Sequence, residues 1–222
     1  MKDYHDPATS RPIWASGLIL AVLAAVCTAL VAYTNRYAAP LIAANEQKYL
    51  ERSLQPVIAG IPYTGKLSES TIVIDTPHAL PGREPVTVYR VFSDDGPVAA
   101  LFVVTAMDGY SGPIRLLIGI DFRGHLTRVR VLQHRETPGL GDAIDSTRSD
   151  WIDQFDGASL ESPPRDEWAI RRDGGQFDQL TGASITPRAV VKAIKATLVY
   201  FEVHREAVFA PPVTGTTNDN ER

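Results

Sequence analysis

The chain has 222 residues, a formal net charge of −4 and a single cysteine. This length suits one soluble domain with additional segments, and an acidic balance without a basic block argues against nucleic-acid binding. One cysteine excludes an internal disulfide, a cysteine-ligated iron–sulfur cluster and a cysteine-rich zinc site. The histidines show no ligand spacing, so the sequence predicts no metal site.

The first predicted element is a transmembrane helix over residues 13–33, which follows a short polar N-terminus of residues 1–12. The segment contains no charged residue, and a rise of about 1.5 Å per residue gives it roughly the 30 Å thickness of a bilayer core. Trp14 and Tyr33 lie at its two ends, where interfacial anchors are common. These features predict a single retained membrane span.

A cleaved signal peptide is the alternative explanation of this segment. Its apolar run exceeds the roughly 7–15 residues of a typical signal-peptide core, which favours retention. Basic residues flank both ends, so the positive-inside rule gives little guidance on orientation. A short N-terminus before a large domain favours a cytoplasmic N-terminus and an exported domain.

After the span, residues 34–55 are predicted to form a membrane-proximal helical linker, with a second helix over 41–54 that is partly solvated by its charges. A domain over residues 56–208 follows. The remaining residues, 209–222, are rich in Pro, Thr and Asn and are predicted to be a disordered tail.

The domain begins with short β-rich runs separated by turn residues. Strands are predicted over residues 71–75, 86–92, 98–105, 114–121 and 125–132. Turns at 94–96 and 122–124 indicate hairpins, and the alternating pattern predicts a half-buried antiparallel sheet. Because helices are predicted afterwards, following Gly141, over 149–155 and from Pro187, the fold class is α+β with helices flanking the sheet.

The helix from Pro187 follows a loop that contains three hydroxyl groups, those of Thr181, Ser184 and Thr186. Thr186 is predicted to be the N-cap of this helix and Pro187 its first residue. A helix N-terminus favours a phosphate group because free backbone N–H groups and the helix dipole point towards it. Taken alone, such a loop is more often a simple cap and turn.

Two other glycine-rich segments lie upstream. In residues 109–114, glycines allow close backbone approach to a flat ligand on which Tyr110 could stack. In residues 136–141, a partial dinucleotide fingerprint lacks its third glycine, because Ile144 stands there, and no βαβ unit surrounds it. We therefore predict no Rossmann site, but a loop in which Thr137 and backbone N–H groups could hold a ring or a phosphate.

Together the three segments resemble the FMN-binding domain family, which has Gly-Tyr-x-Gly-x-Ile, Glu-Thr-Pro-Gly-Leu-Gly and Asp-x-x-Ser/Thr-Gly-Ala-Thr/Ser in this order. In that family the last hydroxyl of the third motif is esterified to the phosphate of FMN. Ser184 matches this position, where the family usually has threonine, and Thr181 or Thr186 remain alternative acceptors. The resemblance further implies roles for the other motif residues: Asp178 would orient the loop or assist attachment, Thr181, Gly182 and Ala183 would shape it, and Tyr110, Glu136, Thr137, Leu140 and Gly141 would line the flavin ring.

With its N-terminal span, the chain is most similar to the G-subunit family of the Rnf ion-translocating electron-transport complex. The C-subunit family of the sodium-translocating NADH:quinone reductase is the second resemblance. Both imply an electron-transfer subunit of a bacterial inner-membrane complex, with covalent FMN in a periplasmic domain. They also imply other complex subunits as partners and a separate flavin transferase that uses FAD and magnesium. Two alternatives remain. The first is a flavin-free, membrane-anchored binding module. The second is a freestanding FMN reductase, which has less support because the sequence shows no nicotinamide site.

Overall fold

The computed structural model describes residues 13–64, 67, 70–75 and 80–210. The predictions for the N-terminus, residues 1–12, and for residues 211–222 of the tail lie outside the described residues. The chain divides into two compact units, one ending at Lys48 and the other beginning at Tyr49.

Helix α1 extends from Ile13 to Val57 without interruption. The predicted span and the predicted second helix over 41–54 are both parts of it, so the prediction of two separate helices was wrong. Pro40 removes one backbone donor, and the helix continues through it at the cost of that hydrogen bond. Within α1, Trp14–Ile42 is long and apolar enough to cross a membrane, and an 18-residue window within it has a mean hydropathy of 2.4.

The second unit is built on a five-stranded antiparallel sheet in which each strand pairs with the next along the chain. The strands are β1 (Thr71–Ile74), β2 (Val86–Ser93), β3 (Gly96–Ala106), β4 (Ile114–Asp121) and β5 (Leu126–Gln133). Ser93 pairs with Gly96 across a two-residue turn, which confirms the first predicted hairpin. The predicted α+β class and the antiparallel sheet are confirmed.

Both faces of the central strands are buried, whereas the sequence pattern predicted a half-buried sheet. On one face Phe102 and Ile118 belong to the main hydrophobic core, together with residues of helix α2 (Ile185–Phe209). On the other face Leu101 and Leu117 pack in a second core with Leu54, from the C-terminal end of α1. The prediction was wrong because no local pattern indicated that α1 would cover the second face.

Helix α2 buries an apolar stripe at helical spacing, formed by Val190, Ile194, Leu198 and Phe201. The two other predicted helices are short 3₁₀ helices, Gly141–Ile144 and Trp151–Phe155, and two more follow at Arg165–Glu167 and Arg171–Asp173. An aromatic cluster fixes this irregular region. The Phe155 ring lies 5.4 Å from that of Trp151, 6.4 Å from that of Trp168 and 4.6 Å from that of Phe177.

The C-terminal end of α2 is part of the packed domain. Phe209 is helical, and its ring lies 5.9 Å from that of Phe92 and 5.5 Å from that of Phe122. Arg90 is buried and donates a 2.6 Å hydrogen bond to the Ala210 carbonyl. The predicted boundary of the tail, residue 209, is therefore too early, because Phe209 still belongs to α2 and its ring packs against the core.

Candidate functional site

The three glycine-rich segments meet in one cleft of the second unit, with a volume of about 280 Å³. This lies near the lower end of the range for small-molecule sites, about 300–1,000 Å³. The cleft is lined by Tyr110, Glu136, Thr137, Leu140, Gly141, Gly182, Ala183, Ser184, Ile185 and Thr186. The structure thus brings together segments that lie far apart in the sequence.

One carboxylate connects all three segments. Glu136, in the second segment, is only 4% exposed. Its Oε1 accepts a 3.0 Å hydrogen bond from the backbone N–H of Ser111, in the first segment. Its Oε2 accepts a hydrogen bond from the hydroxyl of Thr186, in the third. Glu136 therefore fixes the first turn and the start of α2 relative to its own loop.

Two of the motif glycines lie against this carboxylate. A Cβ atom on Gly141 would lie 2.9 Å from Oε2 of Glu136 and 3.0 Å from Oγ1 of Thr186, so the carboxylate disfavours a side chain there. A Cβ atom on Gly109 would lie 3.0 Å from Oε1 of Glu136, but its main clash would be with the backbone oxygen of Gly112, at 2.1 Å.

A tight turn precedes α2. The N–H of Ala183 donates a 3.1 Å hydrogen bond to the carbonyl of Leu180, and Gly182 has a φ of 80°, which favours glycine. The start of this loop is held at Asp178, whose carbonyl accepts a 2.8 Å hydrogen bond from Trp151 Nε1. The Asp178 N–H donates a 2.7 Å bond to Gln154 Oε1. The loop is therefore anchored to the aromatic cluster before it reaches Ser184.

Helix α2 begins earlier than predicted. Its N-cap is Ser184 and its first residue is Ile185, so the assignment of Thr186 as N-cap and Pro187 as first residue was wrong. Thr186 is fully buried, and its hydroxyl donates a hydrogen bond to the Glu136 carboxylate instead of capping the backbone. Pro187 stays within the first turn, where the absence of an N–H is tolerated.

Ser184 lies at the start of α2 and faces the cleft. It is partly exposed, and its side chain makes no capping hydrogen bond to the backbone. The guanidinium of Arg172 lies beside it, with Nη1 donating to Ser184 Oγ at 3.4 Å. The hydroxyl at the start of α2 is thus accessible and next to a positive charge.

Two predicted site residues lie outside this lining. Thr181 is exposed in the turn, and Asp178 is exposed with its carboxylate 2.7 Å from Arg171 Nη1. Sequence reasoning missed Ile185 and Arg172. Ile185 was placed in a loop because the helix start was set too late, whereas Arg172 belongs to a short 3₁₀ helix that no sequence signal connected to Ser184.

The rim of the cleft is apolar and its floor is polar. Tyr110, Leu140 and Ile185 are 66%, 44% and 46% exposed. Glu136 forms part of the floor, and the N-terminus of α2 opens at one end. Such an arrangement suits a flat, partly apolar ligand with an anionic group, because exposed apolar side chains can cover a ring while the helix N-terminus attracts the anion.

Comparisons with known proteins agree with this geometry. Residues 1–57 match the RnfG N-terminal region, and residues 109–199, which contain the whole cleft, match the FMN-binding domain. The chain is 39% identical to the G subunit of the ion-translocating oxidoreductase complex of Shewanella baltica, over 94% of its length and 98% of that protein. It is 42% identical to the corresponding G subunit of Vibrio cholerae, over 89% of this chain and 94% of that one.

The G subunit of Erwinia tasmaniensis is 40% identical, with 92% of this chain and 97% of that protein covered. These similarities extend over nearly the full length of each relative. The chain therefore belongs to the family of G subunits of ion-translocating oxidoreductase complexes.

Proposed function

We propose that this chain is a membrane-anchored electron-transfer subunit of an ion-translocating oxidoreductase complex, with FMN joined to Ser184 through a phosphoester. Family membership and the FMN-binding domain support the general function. The observation on which the attachment rests is the position of Ser184. Its hydroxyl lines the cleft at the N-terminus of α2 and is not used as a cap.

The residues of the cleft fit FMN. The exposed rim of Tyr110, Leu140 and Ile185 offers apolar contact for a ring. The N-terminus of α2 would stabilise the phosphate. When bound, FMN supplies reversible one-electron chemistry, while the chain binds the flavin, orients it and tunes its surroundings. A phosphoester would also prevent loss of the flavin without modifying its ring.

The alternative acceptors are less suitable. The Thr186 hydroxyl is buried and engaged by Glu136, so reaction there would break a contact that holds the cleft together. Thr181 is exposed in the turn and is not among the residues lining the cleft. Of the three candidate acceptors, Ser184 is the one that both lines the cleft and is partly exposed.

Attachment would be a phosphoryl transfer catalysed by a separate flavin transferase. Ser184 Oγ would form a bond to the FMN phosphorus of FAD, and the phosphorus–oxygen bond to AMP would break. AMP leaves, and the hydroxyl proton passes to a base or to solvent. No oxidation or reduction occurs in this step.

The α1 segment supports an inner-membrane location with one span. We assign the C-terminal domain to the periplasmic side, as the resemblance to the Rnf G-subunit family implies. The other subunits of the complex would be the redox partners of the cleft.

In-gel ultraviolet fluorescence tests the attachment. The wild-type chain, Ser184→Ala, Ser184→Thr and the matched loop control Thr181→Ala would be produced in membranes with an active flavin transferase, then denatured. We expect fluorescence in all but Ser184→Ala, because threonine offers an equivalent oxygen. Fluorescence that persists in Ser184→Ala would assign the flavin to another residue. A dark wild-type band, with the transferase active on a control substrate, would favour the flavin-free binding module.

A further inference from the structure

Three arginines surround the N-terminus of α2, and two of them are neutralised. Arg171 Nη1 lies 2.7 Å from a carboxylate oxygen of Asp178. Arg188 donates two hydrogen bonds to the carboxylate of Asp173, of 2.6 and 2.7 Å. Each forms a close ion pair with its own carboxylate.

The third arginine, Arg172, has a different partner. Its guanidinium donates to Ser184 Oγ at 3.4 Å, and within the described part of the chain no carboxylate forms an ion pair with it. The hydrogen bonds of Arg188 lower the pKa of Asp173, and the nearby charge of Arg172 lowers it further. Among these three arginines, Arg172 is therefore the one whose guanidinium lies next to the Ser184 hydroxyl instead of in a close ion pair.

The N-terminus of α2 offers an anion fewer donors than the first turn of a helix usually does. Pro187 lacks an N–H, which removes one of the donors that the first turn of a helix usually offers. The Thr186 hydroxyl already donates to Glu136, whose carboxylate also lines the cleft. An anion at Ser184 would therefore gain from a further cationic donor.

We propose that Arg172 binds a non-bridging oxygen of the phosphate that becomes esterified to Ser184. This inference rests on the proposed function. A phosphodiester has one negative charge, which the Arg172 guanidinium next to Ser184 would attract. Arginine is well suited to the role, because its planar guanidinium forms charge-assisted hydrogen bonds with phosphate oxygens.

The chain offers a matched control for this role. Arg171 is adjacent in sequence, lies on the same 3₁₀ helix and is also exposed, but it pairs with Asp178. Arg172→Gln removes the charge next to Ser184, Arg172→Lys keeps it, and Arg171→Gln removes another exposed charge from the neighbouring position.

The first measurement is the initial rate of covalent flavin incorporation into the full-length chain in detergent micelles, at limiting FAD. We expect Arg172→Gln to slow incorporation about five- to tenfold, since hydrogen bonds to charged groups contribute modestly at exposed positions. Arg172→Lys should recover most of the rate, and Arg171→Gln should slow incorporation less than Arg172→Gln does, because its charge is paired with Asp178 instead of lying next to Ser184. The wild-type rate should also fall more steeply with added salt than that of Arg172→Gln.

The second measurement is the ³¹P NMR shift of the attached phosphodiester after prolonged incubation, when the slower variant is also loaded. A shift that changes in Arg172→Gln but not in Arg171→Gln would place the guanidinium at the phosphate in the finished protein. Equal rates and equal shifts in both variants would overturn the role of Arg172 while leaving attachment intact. An equal loss in Arg171→Gln would show a general effect on the loop and overturn it too. A wild-type chain that takes up no flavin would overturn both proposals.

Discussion

Replacing Glu136 with alanine should loosen the whole cleft. The carboxylate accepts hydrogen bonds from the Ser111 N–H and the Thr186 hydroxyl, and it is 4% exposed. In Glu136→Ala both donors lose their partner. The start of α2, and with it Ser184, would lose its connection to the two upstream loops.

The size of the effect follows from the two lost bonds. A buried donor left without an acceptor costs about 1–3 kcal/mol. Ser111 is exposed, so water can reach its N–H, whereas Thr186 is fully buried. Removing a buried carboxylate also relieves its desolvation, which offsets part of the loss. We expect a net decrease of about 1–3 kcal/mol in the free energy of unfolding, mostly from the buried Thr186 hydroxyl. Glu136→Gln, which can still accept one bond, should cost about 1 kcal/mol.

Urea unfolding of the full-length chain in detergent, followed by tryptophan fluorescence, measures this change. Trp151 and Trp168 are 8% and 4% exposed in the domain and report on its packing. Glu161→Ala is the control, because that glutamate is exposed. In parallel, covalent flavin incorporation should fall in Glu136→Ala. If its unfolding midpoint and its flavin yield both equal those of Glu161→Ala, the connecting role of Glu136 is refuted.

Three further variants test local contacts by the same unfolding assay. Gly141→Ala should cost about 1–3 kcal/mol, because its methyl group would meet the Glu136 carboxylate at 2.9 Å. Burial raises the pKa of Asp156 above the unfolded value of 3.8, so its charge lowers stability as pH rises through the folded pKa. Asp156→Asn should therefore be neutral or stabilising at pH 7 and reduce the loss of stability above pH 3.8. Hydrogen bonds from Arg188 lower the pKa of Asp173, so Asp173→Asn should destabilise at pH 7, with the difference vanishing below the folded pKa.

For each of these three predictions, one result would contradict it. Gly17→Ala is the control for Gly141→Ala, since a Cβ atom at Gly17 meets nothing within 4 Å. Equal midpoints for the two would show that the cleft accommodates the methyl group. For the aspartates, the test is the sign: a clear loss of stability in Asp156→Asn at pH 7 would mean that its bond with Arg128 outweighs desolvation. Likewise, an Asp173→Asn variant as stable as the wild type at pH 7 would mean that the pair with Arg188 contributes nothing to folding.

The strands could be predicted because their signals are local. Runs of β-branched residues between turn signals define β2, β3 and β4, and the two-residue turn at Asp94 and Asp95 fixes the pairing of β2 with β3. The apolar stripe of α2 is equally local, with helical spacing that the structure buries. Side-chain pattern along one segment was sufficient for all of these elements.

Features that depend on distant partners could not be predicted. Thr186 is an example. Its sequence context predicts an N-cap, but its hydroxyl donates a hydrogen bond to Glu136, fifty positions earlier in the chain. The second buried face of the sheet depends on Leu54 at the end of α1, and the charge next to Ser184 depends on the fold of a 3₁₀ helix. In each case a long-range contact, which no local signal indicates, decided the outcome.

The same contacts explain why three short motifs occur together in this sequence. The glycines at 109 and 141 leave space for the Glu136 carboxylate, which in turn engages Ser111 and Thr186. The motifs are therefore parts of one hydrogen-bonded unit, in which each segment restricts the residue types that the others can contain. A substitution in the first segment should disturb Ser184 through Glu136, even though it changes no residue of the attachment loop. The chemistry assigned to one serine thus depends on a buried carboxylate that lies outside its motif.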